Sequence, residues 1–375
     1  MNLLELSHRA MACDFVVLVR DEHQRVGRRS VADIALDALE SIDAVERRLT
    51  VYDARSEISA INQSAGQGPV TVSRETFDVL HHAIELNAAM EGAFDITAGP
   101  LIDAWGFTTR QGRKPNSDEI DEALKLVGCS KLKLDATNTT AELLTASMRI
   151  NLGGIGKGDA IDRVADRLLS AGVKDFLIHA GQSSVLARGD QFAQTIDKND
   201  APSVTADGRP ERATDGEIDD QPPRGWKVGI AHPTKPNRRL AGIWLRDAAL
   251  ATSGSGKQFF HHRGKRYGHV IDPRTGQPAG DLLSLSVVTR RAIDADALAT
   301  GLFVMGRDNA KRFAETVARD ESLDSSRRFT DPGNPLPIIM VAPVARQDEV
   351  EIQTTGDWDW ADPPAGAEKD DRLLS

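Results

Sequence analysis

Residues Asn151 to Leu169 read NLGGIGKGDAIDRVADRLL, with four glycines between Gly153 and Gly158 and a helix expected over Ile161 to Leu169. Glycines let a backbone approach a ligand closely, and a helix start offers N–H groups without intrahelical partners. In physical terms this is a cradle for a phosphate. A tight turn without a ligand is the other reading of the same residues. The segment is not a Walker A loop, because Lys157 is followed by Gly158 where a Ser or Thr would stand. Nor is it a dinucleotide fingerprint: the glycine spacing differs and no clean strand precedes it. A doubly wound parallel sheet is therefore not the fold this stretch announces.

Working outward, residues 14 to 20 read as a strand. Further short strands are expected at Phe176 to His179, Trp226 to Ile230, Leu240 to Leu245, Leu285 to Val288 and Ile338 to Val341. Helical spacing predicts one helix from Val31 to Leu49. Others are expected over Phe77 to Met90, Ile293 to Met305 and Asn309 to Val317. Strands and helices mix without regular βαβ alternation, which predicts an α+β fold. Residues 190 to 224 are acidic and Pro-rich, and read as a disordered insertion between two strands. The stretch after Trp360 has the same character.

The totals bound the rest. The 375 residues carry a formal net charge of −10 and a mean hydropathy of −0.35. That speaks against broad nucleic-acid binding. Cys13 and Cys129 form neither a disulfide framework nor a zinc pattern. The N-terminus has no basic start and no long apolar run, so as written the chain is expected in the cytoplasm without stable membrane insertion.

Three further segments carry chemistry. In RAIDADALATGLFVMG, from Arg291, Asp296 and Thr300 lie four apart on one helical face with Ile293, Phe303 and Val304. A carboxylate on a buried face needs a partner. That partner is either a Lys or Arg, or a hard cation held by oxygen ligands; the surroundings lack the His and Cys that zinc prefers. Asp294 points elsewhere and reads as a cap or surface acid. In HVIDPRTGQP, His269 ends a strand-like run before a turn. A histidine there is either structural or, beside a phosphate, a candidate general base. In EGAFDITAGPLIDAWGF, from Glu91, the aromatics suit either core packing or a wall for a flat ring.

Taken together these segments resemble the ApbE family, the FAD:protein FMN transferases. The matching pieces are Met11-Ala12-Cys13, VYDARSEISAIN from Val51, GAFDITAGPL with WGF, NLGGIGKGDAID, Thr252 to Gly254, HVIDPRTG and DADALATGLFVMG. The resemblance implies a two-lobed, duplicated tunnelling-type α+β fold with mixed antiparallel sheets over residues 1 to 345, followed by a partly disordered tail, 346 to 375. It implies Mg2+ held by Asp296, Thr300 and the Gly156 carbonyl. Met11, Tyr52, Ala93, Phe94, Asp95, Thr97, Lys157, Asp159, Asp162 and Ile271 are then expected at the FAD site, with His269 assisting catalysis. The implied reaction passes FMN from FAD to a Thr or Ser hydroxyl of a flavin-acceptor redox subunit and releases AMP. The alternatives are an FAD pyrophosphatase and a non-catalytic flavin-binding protein. The sequence departs from the family pattern at Ala12 and Cys13, which stand in place of Gly and Thr. It departs again at Gln182 and Ser183, where a glycine and an acid are common.

Overall fold

A computed structural model describes residues 3–20, 25–109, 111–192, 224–235, 237–256, 258–317, 329–330, 333–344 and 349–365. Its centre is an eight-stranded sheet. Its strands are labelled β1 (Leu3–Ala10), β2 (Cys13–Arg20), β3 (Phe176–Ala180), β4 (Ser184–Arg188), β5 (Ala248–Gly254), β6 (Ser284–Thr289), β7 (Ile338–Pro343) and β8 (Val350–Thr355). They lie side by side in chain order, and every pair is antiparallel. The rest of the described chain enters as excursions between neighbouring strands.

Alternation assigns the two faces. Phe15, Val17 and Val19 of β2 with Phe176 and Ile178 of β3 point to one side and are fully buried. The main core forms there, against three helices: α1 (Val31–Glu40), α7 (Gly156–Ser170) and α8 (Ala292–Val317). Leu177, Ala187, Leu250, Ile339 and Val341 point the other way. They are covered by a three-stranded sheet of Trp226–Ala231, Arg239–Leu245 and Trp360–Asp362. The molecule thus has helices on one side of a large sheet and a smaller sheet on the other, an α+β architecture.

The expected helix over Val31 to Leu49 is two helices, α1 and α2 (Ile42–Leu49). The Ser41 hydroxyl donates to the Ala38 carbonyl at 2.6 Å. A hydroxyl competing for helix carbonyls at that point tightens and redirects the chain, and each piece keeps its own apolar face buried. The expected helix over Phe77 to Met90 begins earlier, as α4 (Arg74–Ala89), where the Ser73 hydroxyl caps the Thr76 N–H. Completing the helices are α3 (Glu57–Gln63), α5 (Gly99–Ala104) and α6 (Ser117–Lys125). The two helices expected between Ile293 and Val317 form the single run α8, broken at Gly306, where φ is 75° and ψ 178°.

Residues 193–223 of the acidic insertion lie outside the described residues. Its ends do not: the Asp190 carboxylate accepts the N–H of Phe192 at 2.6 Å and of Gly225 at 2.7 Å, pinning the two ends together. Beyond residue 345 the chain is still part of the fold. Val350–Thr355 is the edge strand β8, and Trp358 stacks on Trp360 with ring centroids 5.2 Å apart. Residues 366–375 lie outside the described residues.

Candidate active site

The glycine turn and the start of α7 meet the first turns of α8 at very close range. A Cβ on Gly158 would lie 2.5 Å from Ile293 Cα and closer still to the Ala292 carbonyl oxygen, so only glycine lets the helices cross here. The crossing brings the two motifs, 138 residues apart in sequence, onto one carboxylate. Asp296 is buried. One of its oxygens takes the Lys157 ammonium at 3.3 Å and the Ser184 hydroxyl at 3.1 Å; the other takes the Gly158 N–H at 3.2 Å. The bland partner allowed by the sequence, a lysine, is therefore present. Ser184 opens β4 after the tight turn that follows β3. Nothing in the local sequence IHAGQSSVLARG sets this hydroxyl apart from that of the neighbouring Ser183.

Thr300 lies one turn further along α8. Its hydroxyl donates to the Asp296 carbonyl at 3.2 Å, which uses its proton and leaves its lone pairs free to accept or to coordinate. A Cβ on Gly154 would sit 3.2 Å from Thr300 Oγ1 and 3.3 Å from Phe94 Cε2. The glycine turn therefore lies directly against Thr300 and the Phe94 ring. Met11 closes the same corner: a Cβ on the buried Gly156, first residue of α7, would lie 3.1 Å from Met11 Cε. Met11 and Ala12 hold φ of 50° and 60° in the turn between β1 and β2. Among the described residues no group of three or more His, Cys, Asp or Glu is placed to hold a metal ion. A cation here would rest on Asp296, the Thr300 oxygen and backbone.

His269 follows the strand Lys265–Gly268. Its Nδ1 lies 3.2 Å from the Gln258 carbonyl oxygen. A carbonyl only accepts, so Nδ1 carries the proton, and the neutral ring keeps its lone pair on Nε2. Burial pushes the imidazole pKa below its ordinary value; the Gln258 hydrogen bond opposes this, and the nearby Lys157 ammonium adds to the lowering. His269 thus stands within electrostatic reach of the Asp296 cluster. Cys13 does too: burial raises its thiol pKa, with Lys157 pulling it down and Asp14 and Asp296 pushing it up.

A profile of the ApbE family matches residues 11–323. The chain belongs to the ApbE family. It is 30% identical over 278 residues to the FAD:protein FMN transferase of Vibrio cholerae, covering 73% of this chain and 74% of that protein. It is 29% identical over 322 residues to the one from Haemophilus influenzae, covering 84% of each. The crystal structure of the ApbE protein from Thermotoga maritima superposes with a TM-score of 0.72 at 26% identity, covering 94% of this chain and 97% of that one.

The positions that the ApbE resemblance implied fall into two groups. Met11, Phe94, Gly156, Lys157, Asp296 and Thr300 come together as described, with Ala93 buried beside Phe94. The others are tied elsewhere. Asp95 accepts from the Thr97 N–H and hydroxyl and from the Cys129 N–H, and Thr97 Oγ1 accepts the Gly128 N–H. These two side chains clamp one loop to another. Asp159 pairs with Arg163 at 2.8 Å, and its pKa is raised by burial. Asp162 accepts the N–H groups of Ala292 and Ile293 at 2.8 and 3.0 Å, so its carboxylate caps α8. Burial pushes its pKa up to about 6 against those two hydrogen bonds. Ile271 packs in a separate cluster with Leu101, Trp105 and Tyr267. Tyr52 is 72% exposed, in an open cleft with His8, Asp43 and Asp53.

Asp294 is neither cap nor surface acid: it is buried, with His82 Nε2 at 2.5 Å. Its side chain leaves α8 toward α4, a direction set by which helix packs on that flank.

Proposed function

We propose that this chain transfers FMN from FAD to a Thr or Ser hydroxyl of another polypeptide and releases AMP. The observation that carries the reading is the Asp296 cluster: a buried carboxylate and a hydroxyl with free lone pairs, set against a glycine turn at a helix start. The relatives from Vibrio cholerae and Haemophilus influenzae are FAD:protein FMN transferases, which supports it. Asp296, Thr300 and the Gly156 carbonyl are the oxygen donors that would hold Mg2+, an ion that takes oxygen ligands. Bound there, Mg2+ would supply charge neutralisation for the diphosphate and polarise the phosphorus under attack.

The chain's own residues do the rest. At the α7 N-terminus Gly156 N–H already donates to the Leu152 carbonyl and Gly158 N–H to Asp296, so it is the positive end of the helix dipole that favours an anion there. Lys157, partly exposed, supplies a positive charge at the same place. His269, protonated on Nδ1, has Nε2 available to take the proton of an attacking hydroxyl. Ser184 and the Gly158 N–H hold Asp296 in place, so the site is assembled before the substrate arrives.

The test is incubation of the purified protein with FAD, Mg2+ and a threonine-bearing peptide, following AMP and peptide mass. The expected result is a mass gain equal to FMN that EDTA abolishes. Asp296→Asn should lower the rate by about two decades or more, the equivalent of several kcal/mol of lost charge stabilisation. AMP release without labelling would replace the transferase with a pyrophosphatase. An Asp296→Asn protein at full rate would overturn the site.

A further inference from the structure

In a chain of net charge −10 the hairpin Phe259–His262 and Lys265–Gly268 is a basic patch. Its turn and second strand carry Arg263, Lys265 and Arg266, all exposed, and Lys114 joins them from a neighbouring loop. The Lys114 and Lys265 ammonium groups lie 5.8 and 5.5 Å from the Tyr267 ring centroid, and Arg266 lies 3.9 Å over the Phe259 ring. Among the described residues none of these four cations is paired with a carboxylate. Cations resting on aromatic faces are ordered without being neutralised.

The patch is joined to the candidate active site. Tyr267 packs on Trp105 at 5.5 Å, Phe260 on Phe107 at 5.8 Å, and Phe107 meets the His269 ring edge at 6.4 Å. From the hairpin turn at Gly264 the chain runs five residues to His269. At about 3.3 Å per strand residue that is roughly 17 Å. The FAD diphosphate, placed at the glycine turn and Lys157, needs no cation so far along. An extended polypeptide presenting its hydroxyl to His269 has the same rise per residue, so its own residues reach the hairpin turn.

We propose that this hairpin is the docking surface for an acidic stretch of the acceptor polypeptide, with its carboxylates about five residues from the hydroxyl that receives FMN. The proposal rests on the transferase reading above. Opposite charge across such a surface speeds encounter and selects partners, and salt screens it.

Two peptides with the same acceptor threonine test it, one with three Asp four to six residues away and one with Asn there. Three exposed ion pairs predict an advantage of about tenfold in kcat/KM for the acidic peptide at low salt. That advantage should vanish in 0.5 M salt (about the point where screening reaches a few ångströms). It should vanish equally in Arg263→Asn/Lys265→Gln, where Asn suits the φ of 50° at residue 263. Binding of each fluorescent peptide, followed by anisotropy without FAD, repeats the comparison independently of any chemistry. Equal binding of the two peptides, or an unchanged double variant, overturns the docking surface while leaving FMN transfer intact. A raised KM for FAD with an unchanged acceptor KM would give the patch to the nucleotide instead. Capture of the wild type, but not the variant, by phosphatidylglycerol vesicles with equal peptide binding would give it to a membrane.

Discussion

At the scale of single residues, two side chains carry most of the proposed reaction's predictions. In the proposed transfer His269 must be neutral on Nε2 to accept a proton. Its pKa is lowered, by burial first and, against the Gln258 hydrogen bond, by the positive charge of Lys157. A lowered pKa keeps the neutral form dominant to more acid pH, so the acid limb of the FMN-transfer profile is expected below the ordinary histidine value of about 6.5. Rates measured from pH 5 to 8 check this; a limb centred above 6.5 would mean another group limits the rate. His269→Ala should cost roughly 10²- to 10⁴-fold in rate. Ser184 is the second residue. Its hydroxyl is one of three donors on the buried Asp296 carboxylate. Ser184→Ala is expected to cost about 1.5–3 kcal/mol in urea unfolding, the range for a hydrogen bond to a charged group. Asp296 and Thr300 were legible from spacing four on an apolar helical face. Ser184 was not, because a hydroxyl at the start of a strand looks like any other turn residue until the carboxylate it serves is placed.

At the scale of elements, the crossing of α7 and α8 makes the site. Gly158 permits it, and Asp162 fastens it by capping the α8 N–H groups. Gly158→Ala would press a methyl group into the α8 backbone. The expected loss is about 1–3 kcal/mol, the range for overpacking, read as a lowered urea midpoint, together with weaker Mg2+ dependence of transfer. Wild-type stability in this variant would mean the helices separate without strain. Most elements were visible as periodicity, and their positions agree to within a few residues. The break at Ser41 was not visible, because Val31 to Leu49 keeps one apolar rhythm through it. Only the Ser41–Ala38 hydrogen bond and the packing of α2 against α7 require the bend. The partner of Asp162 was equally hidden: by the family resemblance this aspartate is expected at the FAD site, and its hold on α8 shows only when the second helix is brought to it.

For the whole molecule, an antiparallel sheet in chain order carries long excursions, and the site forms where two of them return to the same face. The last strand matters to this frame. A chain ending at residue 345 would lose β8 and leave β7 as an unpaired edge, a template for aggregation. It would also lose Trp360–Asp362, the third strand of the smaller sheet, and with it the Trp358–Trp360 stack. Such a truncation is expected to aggregate or to melt well below the full chain in a thermal scan; equal stability would make residues 349–365 dispensable. Replacing residues 193–223 by a short Gly-Ser link should move the melting temperature by no more than a few degrees, because Asp190 already fixes both ends. By itself the sequence determined the α+β class, the family, the glycine turn and the carboxylate–hydroxyl pair on α8, since each is written in local spacing or in motif order. The tertiary structure decided which donors each of the many acids meets. Asp296 meets Lys157, Ser184 and the Gly158 N–H of the glycine turn, whereas Asp95 meets Cys129, Asp159 meets Arg163, Asp162 meets the α8 N–H groups and Asp294 meets His82. A carboxylate's role depends on the donors that surround it in space, and those come from segments far apart along the chain.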